Sequence, residues 1–373
     1  MSKARTIAYY LPQFHPIPEN DDWWGPGFTE WTNVAKARAL YPGHLQPKLP
    51  GSLGFYDLRL PETRAEQAKM AKTAGIEGFC YWHYWFGGGR RLLERPFFEV
   101  LSTGQPDFPF CFAWANESWT GIWHGSPGRT LIEQTYPGAA DIDRHFDALL
   151  PAFRDPRYIR VDGKPLFNIY SPETLPRLKE FVTRWRELSS KAGLPGLYLV
   201  AMTDRSPKGM LSNFDAFSRF GPADYLLAHR PSRSARVLRD ILVHASLEWI
   251  SSRIAAPFGA PARFDYSRVV DWYVESLNET TDREIPCVLA GWDNTPRSGR
   301  RGVVFYNFTA ENYERLLRKA VSVVQRRSVE HRIVFIKAWN EWAEGNYLEP
   351  DRVAGASLLE ATQRVLADDG LGN

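Results

Sequence analysis

Residues 333–350 read Ile333-Val334-Phe335-Ile336-Lys337-Ala338-Trp339-Asn340-Glu341-Trp342-Ala343-Glu344-Gly345-Asn346-Tyr347-Leu348-Glu349-Pro350. The apolar opening of this stretch, part of a run over 332–338, predicts a buried strand. Two carboxylates three positions apart, Glu341 and Glu344, follow that strand at once, bracketed by Trp339 and Trp342. An arbitrary pair of glutamates at this spacing is usually a solvated turn, but two indoles are not normally placed in one. Paired acids among indole rings meet the needs of glycosidic chemistry. One acid stays protonated to release a leaving sugar oxygen, while the other is ionised to generate or stabilise the attacking species. Tryptophan offers a flat apolar face to the C–H side of a sugar ring, and its low-dielectric bulk raises a neighbouring carboxyl pKa.

The strand-then-loop pattern recurs along the chain. Strand-like runs at 6–11, 76–82, 109–114, 165–170, 197–202, 286–291 and 332–338 alternate with helical patterns at 61–74, 92–102, 139–153, 174–192, 309–327 and 356–367. Asp224-Tyr225-Leu226-Leu227 is a candidate sixth strand. Single amphipathic helices between strands imply parallel β/α repeats. No glycine-rich phosphate loop follows the first strand, which weakens a nucleotide-binding doubly wound sheet. The expectation is therefore an α/β chain forming a single (β/α)8 TIM-type barrel over residues 1–373, with an insertion around 205–265 and a flexible tail at 366–373. Within the insertion, Arg230, Arg233, Arg236 and Arg239 could line one side of a helix, read as a solvated face.

Composition bounds the partners. With 373 residues, 44% hydrophobic and 24% charged, the chain has ample core for a soluble globular protein. A net charge of +3 without a basic block interleaved with aromatics gives no case for nucleic acid. No long apolar segment precedes the first strand, so no membrane span and a cytoplasmic location are expected. Cys80, Cys111 and Cys287 each sit in an apolar run and read as reduced core residues. The absence of a His-x-x-x-His or His/Cys cluster argues against a metal, and no cofactor is required.

Fourteen tryptophans are unusual, and their address matters more than their number. Trp23, Trp24, Trp31, Trp82, Trp85, Trp114, Trp119, Trp123, Trp292, Trp339 and Trp342 all end or follow strands, which places them on the loop-bearing rim of a barrel where active sites form. Polar residues share the rim: His15, Tyr81, His83, Tyr84, Asn116, Glu117, Asp204, Asp293 and Asn294. Each could be a loop hydrogen-bonder or helix cap, but together they suit recognition of sugar hydroxyls. The substrate-binding candidates are His15, Trp24, Tyr81, His83, Trp114, Asn116, Glu117, Asp293, Trp339 and Trp342.

Several motifs are similar to those of WbsX-type proteins, which are glycoside-hydrolase-family-99-like and occur in bacterial polysaccharide and O-antigen settings. They are Tyr10-Leu11-Pro12-Gln13-Phe14-His15-Pro16, Asp22-Trp23-Trp24-Gly25-Pro26-Gly27-Phe28-Thr29-Glu30-Trp31, Leu53-Gly54-Phe55-Tyr56-Asp57-Leu58-Arg59, Gly78-Phe79-Cys80-Tyr81-Trp82-His83-Tyr84-Trp85-Phe86 and Phe110-Cys111-Phe112-Ala113-Trp114-Ala115-Asn116-Glu117. The resemblance implies a (β/α)8 barrel. Asn340-Glu341-Trp342-Ala343-Glu344-Gly345 resembles the Asn-Glu-Trp-x-Glu-Gly motif of endo-α-mannosidases and endo-α-mannanases. The resemblance implies that Glu341 deprotonates the substrate 2-hydroxyl and that Glu344 is the acid and then the base. It also implies net retention through a 1,2-anhydro sugar.

The sequence thus points first to a retaining glycoside hydrolase acting on α-linked mannose or rhamnose in an oligo- or polysaccharide. One alternative is a glycosyltransferase in polysaccharide biosynthesis, as WbsX-type proteins are often labelled. Its sugar nucleotide would look for an Asp-x-Asp, and Asp141-Ile142-Asp143 instead opens a helix. The other alternative is a non-catalytic carbohydrate-binding protein, which has no need of two closely spaced acids.

Overall fold

Eight parallel strands follow one another along the chain: β1 (Arg5–Tyr10), β2 (Gly78–Trp85), β3 (Phe110–Trp114), β4 (Lys164–Ile169), β5 (Tyr198–Thr203), β6 (Ala216–Arg219), β7 (Cys287–Leu289) and β8 (Ile333–Lys337). The computed structural model describes residues 4–121, 130–203, 209, 211–229 and 261–367. Neighbouring strands pair in the order β6-β5-β4-β3-β2-β1-β8-β7. First and last strands are therefore partners, with Arg5 opposite Ile333 and Ala8 opposite Ile336. At the remaining gap, the Phe217 N–H donates to the Arg283 carbonyl at 2.9 Å and the Ile285 N–H to the Phe217 carbonyl at 2.7 Å. The result is the expected (β/α)8 TIM barrel.

Helices α1 (Pro18–Trp24) and α2 (Glu30–Lys36) lie in the loop after β1, followed by α3 (Pro61–Thr73), α4 (Arg95–Thr103), α5 (Ala139–Arg154) and α6 (Leu178–Lys191). Then come α7 (Ala223–Ala228), α8 (Tyr266–Ser276), α9 (Thr295–Ser298), α10 (Ala310–Val324) and α11 (Ser357–Ala367). Helix α10 illustrates why such segments cover a barrel. Thr309 caps it by accepting from the Asn312 N–H at 3.2 Å. Tyr313, Leu316, Leu317, Ala320, Val321 and Val324 form one buried stripe at helical spacing.

Three expectations need correction. Asp224–Leu227 is helical rather than the sixth strand: Gly221-Pro222 breaks the extended chain, and Tyr225 stacks on His229 one turn later at 4.0 Å. The sixth strand is Ala216–Arg219, which pairs with Val200–Thr203. The insertion around 205–265 is accordingly smaller, because β6 and α7 belong to the barrel. Asp204, Trp123 and the arginines at 230, 233, 236 and 239 lie outside the described residues. At the carboxyl end, Leu366 and Ala367 belong to α11, and Leu366 is buried. The remainder of the expected tail lies outside the described residues. Helix α8 is an addition that the sequence reading missed.

Inside the barrel, Tyr9 stacks on Trp82 at 5.4 Å and meets Phe220 and Phe335 at 4.9 and 5.2 Å. Strand residues alternate faces, so the next inward positions are Leu11, Tyr84 and Lys337, and these open into a cleft above the aromatic plug. Cys80 and Cys111 face each other across β2 and β3 as buried free thiols, and Cys287 is free and partly buried.

Gly78 begins β2 against the Pro109 backbone. A Cβ there would lie 2.3 Å from the Pro109 carbonyl oxygen, which is backbone and cannot swing away. Gly78→Ala is expected to cost about 1–3 kcal/mol. A lower urea midpoint with an unchanged denaturant slope is the result to look for.

Candidate active site

The Glu341 and Glu344 side chains owe their positions to a small hairpin. After β8, Asn340 and Glu341 pair antiparallel with Tyr347 and Asn346, a 3-10 turn spans Trp342–Glu344, and Gly345 closes the turn at φ 59°. Asn340 fixes the hairpin to β1: its Oδ1 accepts from the Leu11 N–H at 2.7 Å, and its Nδ2 donates to the Leu11 carbonyl at 3.0 Å. Gly345 is required twice over. Its backbone is left-handed, and a Cβ would stand 2.8 Å from the Asp293 backbone nitrogen. Behind the hairpin, Trp342 stacks on Tyr347 at 3.8 Å and donates to Glu349 at 2.6 Å. Tyr56 and Gln67 also donate to Glu349, at 2.9 and 2.6 Å.

Arg297 is the centre of the site. One guanidinium nitrogen lies 2.9 Å from Glu344, and another contacts Glu30 and lies 3.4 Å from Glu341. Helix α9 carries Arg297, and Asp293 holds that helix by accepting from the Thr295 N–H at 3.1 Å and hydroxyl at 2.6 Å. His44 and Gln46 grip the other Asp293 oxygen at 2.8 and 2.7 Å. Helix α2 supplies Glu30, and its neighbour Trp31 packs on Trp342 at 5.3 Å. Lys337 lies 3.3 Å from Glu344 as an ion pair, with its ammonium over Phe220 and Trp292 at 4.0 and 5.1 Å.

Three carboxylates thus share two cations, and the two glutamates of the hairpin respond oppositely. Desolvation, then the charge of Glu344, raises Glu341 to about 7 against the pull of Arg297 and Lys337. Glu341 also accepts from the Trp82 indole N–H at 3.0 Å. Burial acts on Glu344 in the same upward direction, but Lys337 and Arg297 outweigh it and hold Glu344 below the usual carboxylate range. In the free site the surroundings therefore favour protonation at Glu341 and ionisation at Glu344.

These groups open onto a cavity of about 210 Å³ lined also by Gln13, Asn20, Trp24, Tyr84, Glu117, Trp119 and Tyr170. Among the described residues no group of three or more His, Cys, Asp or Glu could hold a metal ion, and no helix is long and apolar enough to cross a membrane.

Comparison with known proteins places the chain in a family. The family model for "Glycosyltransferase WbsX" matches residues 6–362. The chain belongs to the WbsX family. Two curated relatives from Xanthomonas campestris pv. campestris, each called "Uncharacterized protein WxcX" (strains B100 and ATCC 33913), are 38% identical over 97% of this chain. The chain spans about half the length of these relatives, 50% in both. Among solved structures, the GH99 endo-alpha-mannosidase from Bacteroides thetaiotaomicron superposes with a TM-score of 0.54 at 16% identity, covering 98% of each chain. A "Glycoside hydrolase-like protein" gives 0.56 at 13% identity, covering 98% of this chain and 94% of the other. At these identities the likeness establishes a shared barrel.

In this WbsX-family chain, Glu341, Glu344, Trp24 and Glu117 line the cleft, and Glu117 also accepts from the Ser171 hydroxyl at 2.6 Å. The choices on β2 were one residue out of register. Tyr81 and His83 point outward, where Tyr81 packs on Tyr10 at 4.6 Å and His83 meets His145 at 2.9 Å. Burial lowers His83 to about 3. Trp82 and Tyr84 take the inward positions, because a strand reverses face at every step. Trp114 likewise points outward and donates to the Trp85 carbonyl at 3.0 Å, beside a separate cavity of about 210 Å³.

The other chosen residues are structural. Asn116 uses its oxygen and nitrogen on the Ser171 backbone, both at 2.9 Å. Asp293 holds α9, while Trp339 and Trp342 are packed behind the hairpin with at most 1% exposure. His15 is buried near Asp57 rather than on the cavity, and desolvation lowers it to about 4. Sequence reasoning missed Glu30, Arg297 and Lys337. Lys337 ends β8, and Glu30 and Arg297 lie in the loops after β1 and β7, so the rim address could have found them, but no local pattern says that they converge.

Removing Arg297 leaves three carboxylates facing one cation. Arg297→Gln should therefore cost about 3–5 kcal/mol near neutral pH. The carboxyl pKa values then rise above their unfolded values, so stability is lost as pH rises and partly returns on acidification. Denaturation at pH 7.5 and pH 5 checks this, and an equal loss at both would count against the charge cluster.

Proposed function

We propose that this protein is a retaining glycoside hydrolase acting on α-linked manno-configured residues, mannose or its 6-deoxy form rhamnose, in a bacterial polysaccharide. The observation that carries the reading is the glutamate pair, joined through Arg297, in a cleft lined by Trp24, Trp82, Tyr84 and Trp119.

In an α-linked manno sugar the 2-hydroxyl lies anti to the leaving group. Glu341 as carboxylate takes the 2-hydroxyl proton, and O2 attacks C1 from behind. The bond from C1 to the leaving oxygen breaks as Glu344 donates its proton there, giving a 1,2-anhydro sugar. Water then enters opposite O2, loses its proton to Glu344 and opens the three-membered ring. O2 recovers its proton from Glu341. Two inversions give retention, with no carboxylate bonded to carbon, unlike the usual retaining pair.

This sequence needs the proton on Glu344, whereas the surroundings in the free site favour it on Glu341. The two arrangements hold the same number of protons. A hydroxyl donating to Glu341 favours its ionised form, and a leaving oxygen that accepts favours protonated Glu344. Substrate can therefore select the productive arrangement from a pair already joined through Arg297.

The family's name supports a second reading, transfer of a glycosyl group to an acceptor other than water, through the same two glutamates. The Asp-x-Asp is a poor basis for a sugar-nucleotide site. Asp143 pairs with Arg184 at 2.7 and 2.6 Å, and Asp141 accepts from the Trp85 indole at 3.2 Å.

Reducing-end release from α-mannans and from D- and L-rhamnans tests the proposal. Glu344→Gln and Glu341→Gln are each expected to lower kcat/KM by about 10²–10⁴-fold. The wild-type kcat/KM should fall about tenfold per unit above pH 7, as the pair loses its last proton. Release by the variants at wild-type rates would refute the assignment. Sugar-nucleotide consumption without polymer cleavage would favour transfer.

A further inference from the structure

Asn20 is the outlier among the polar groups of the cleft. It has 0% exposure, it lines the same cavity as the two glutamates, and neither its Oδ1 nor its Nδ2 finds a hydrogen-bond partner among the described residues. An unpaired buried amide costs about 1–3 kcal/mol, so a site that keeps one without use is unusual. Neighbouring amides are engaged: Asn33 donates to Glu30 at 3.3 Å, and Asn340 bonds the Leu11 backbone with both ends. Helix α1 places Trp24 one turn beyond Asn20, and both line the cavity. One face of this short helix thus offers an amide and an indole to the same ligand.

Building on the glycosidase reading above, we infer that Asn20 is a specificity residue that binds a vicinal diol of a pyranose seated against Trp24. A side-chain amide presents an acceptor and a donor side by side. Two adjacent ring hydroxyls match that pattern, one donating to Oδ1 and the other accepting from Nδ2. An acetamido substituent does not match, because its trans amide points its N–H and C=O in opposite directions. The cleft therefore favours a neutral hexose or 6-deoxyhexose with free neighbouring hydroxyls over an N-acetylated or O-alkylated unit.

The test measures binding in a Glu341→Gln/Glu344→Gln protein, in which nothing is turned over. The probes are methyl glycosides of α-linked manno- and rhamno-disaccharides, each compared with versions O-methylated at single ring hydroxyls. Titration is repeated after adding Asn20→Ala and, to preserve side-chain volume, Asn20→Leu. Loss of the diol contact should weaken binding by about tenfold or more. The O-methyl analogue that mimics this loss should bind all versions alike, and the melting temperature of the ligand-free protein should stay level or rise. A lower melting temperature with equal loss across all probes would mark Asn20 as a structural residue and overturn the inference. Unchanged affinity in both variants would overturn it while leaving the glycosidase reading intact. Failure of every glycoside to bind the parent protein would remove that reading, and this inference with it.

Discussion

The guanidinium of Arg297 is the point on which the site depends. It meets three carboxylates from two separated segments: Glu30 on α2, and Glu341 and Glu344 at either end of the hairpin turn. Without a shared cation, three acids this deeply buried could not all approach one cavity, because desolvation and mutual repulsion would drive them apart or protonate them. Much of the surrounding architecture supports that one contact. Asp293 holds α9 so that Arg297 faces inward, Gly345 lets the hairpin pass close to Asp293, and Asn340 locks the hairpin to β1.

The barrel was legible from periodicity because buried parallel strands and amphipathic helices leave different signatures. The short β6 was not. Four residues carry too little pattern, and pairing with β5, a tertiary matter, decides it. The glutamate pair was legible because the acids and indoles occur in one stretch. Its neighbours were harder to identify, since the rim address does not fix the direction of a side chain. On β2 a single step separates Trp82 in the cleft from His83 against His145. Glu30 and Arg297 are separated by most of the chain, and no one-dimensional pattern announces their meeting.

The tryptophans divide between the cleft and its support. Their gathering near the strand ends led to a sugar cleft, yet only Trp24, Trp82 and Trp119 line it among the described residues. Trp31, Trp339 and Trp342 instead form a rigid backing for the hairpin, and Trp292 lies beneath the Lys337 ammonium. An acid whose protonation matters must be held in one setting, and large, closely packed rings are well suited to holding it.

The pairing of β1 with β8 has a consequence for how the molecule comes into being. Asn340 reaches back across 329 positions to Leu11, so the carboxylate hairpin takes its shape from residues synthesised at the opposite end of this barrel. Contacts so distant in sequence form late, after the intervening strands have been gathered. During translation, the first strand must wait for its partner while the remaining barrel emerges. The nascent chain thus passes through a long interval in which the ring is open and the carboxylate cluster has not been assembled, so the cleft takes its form only with completion of the ring.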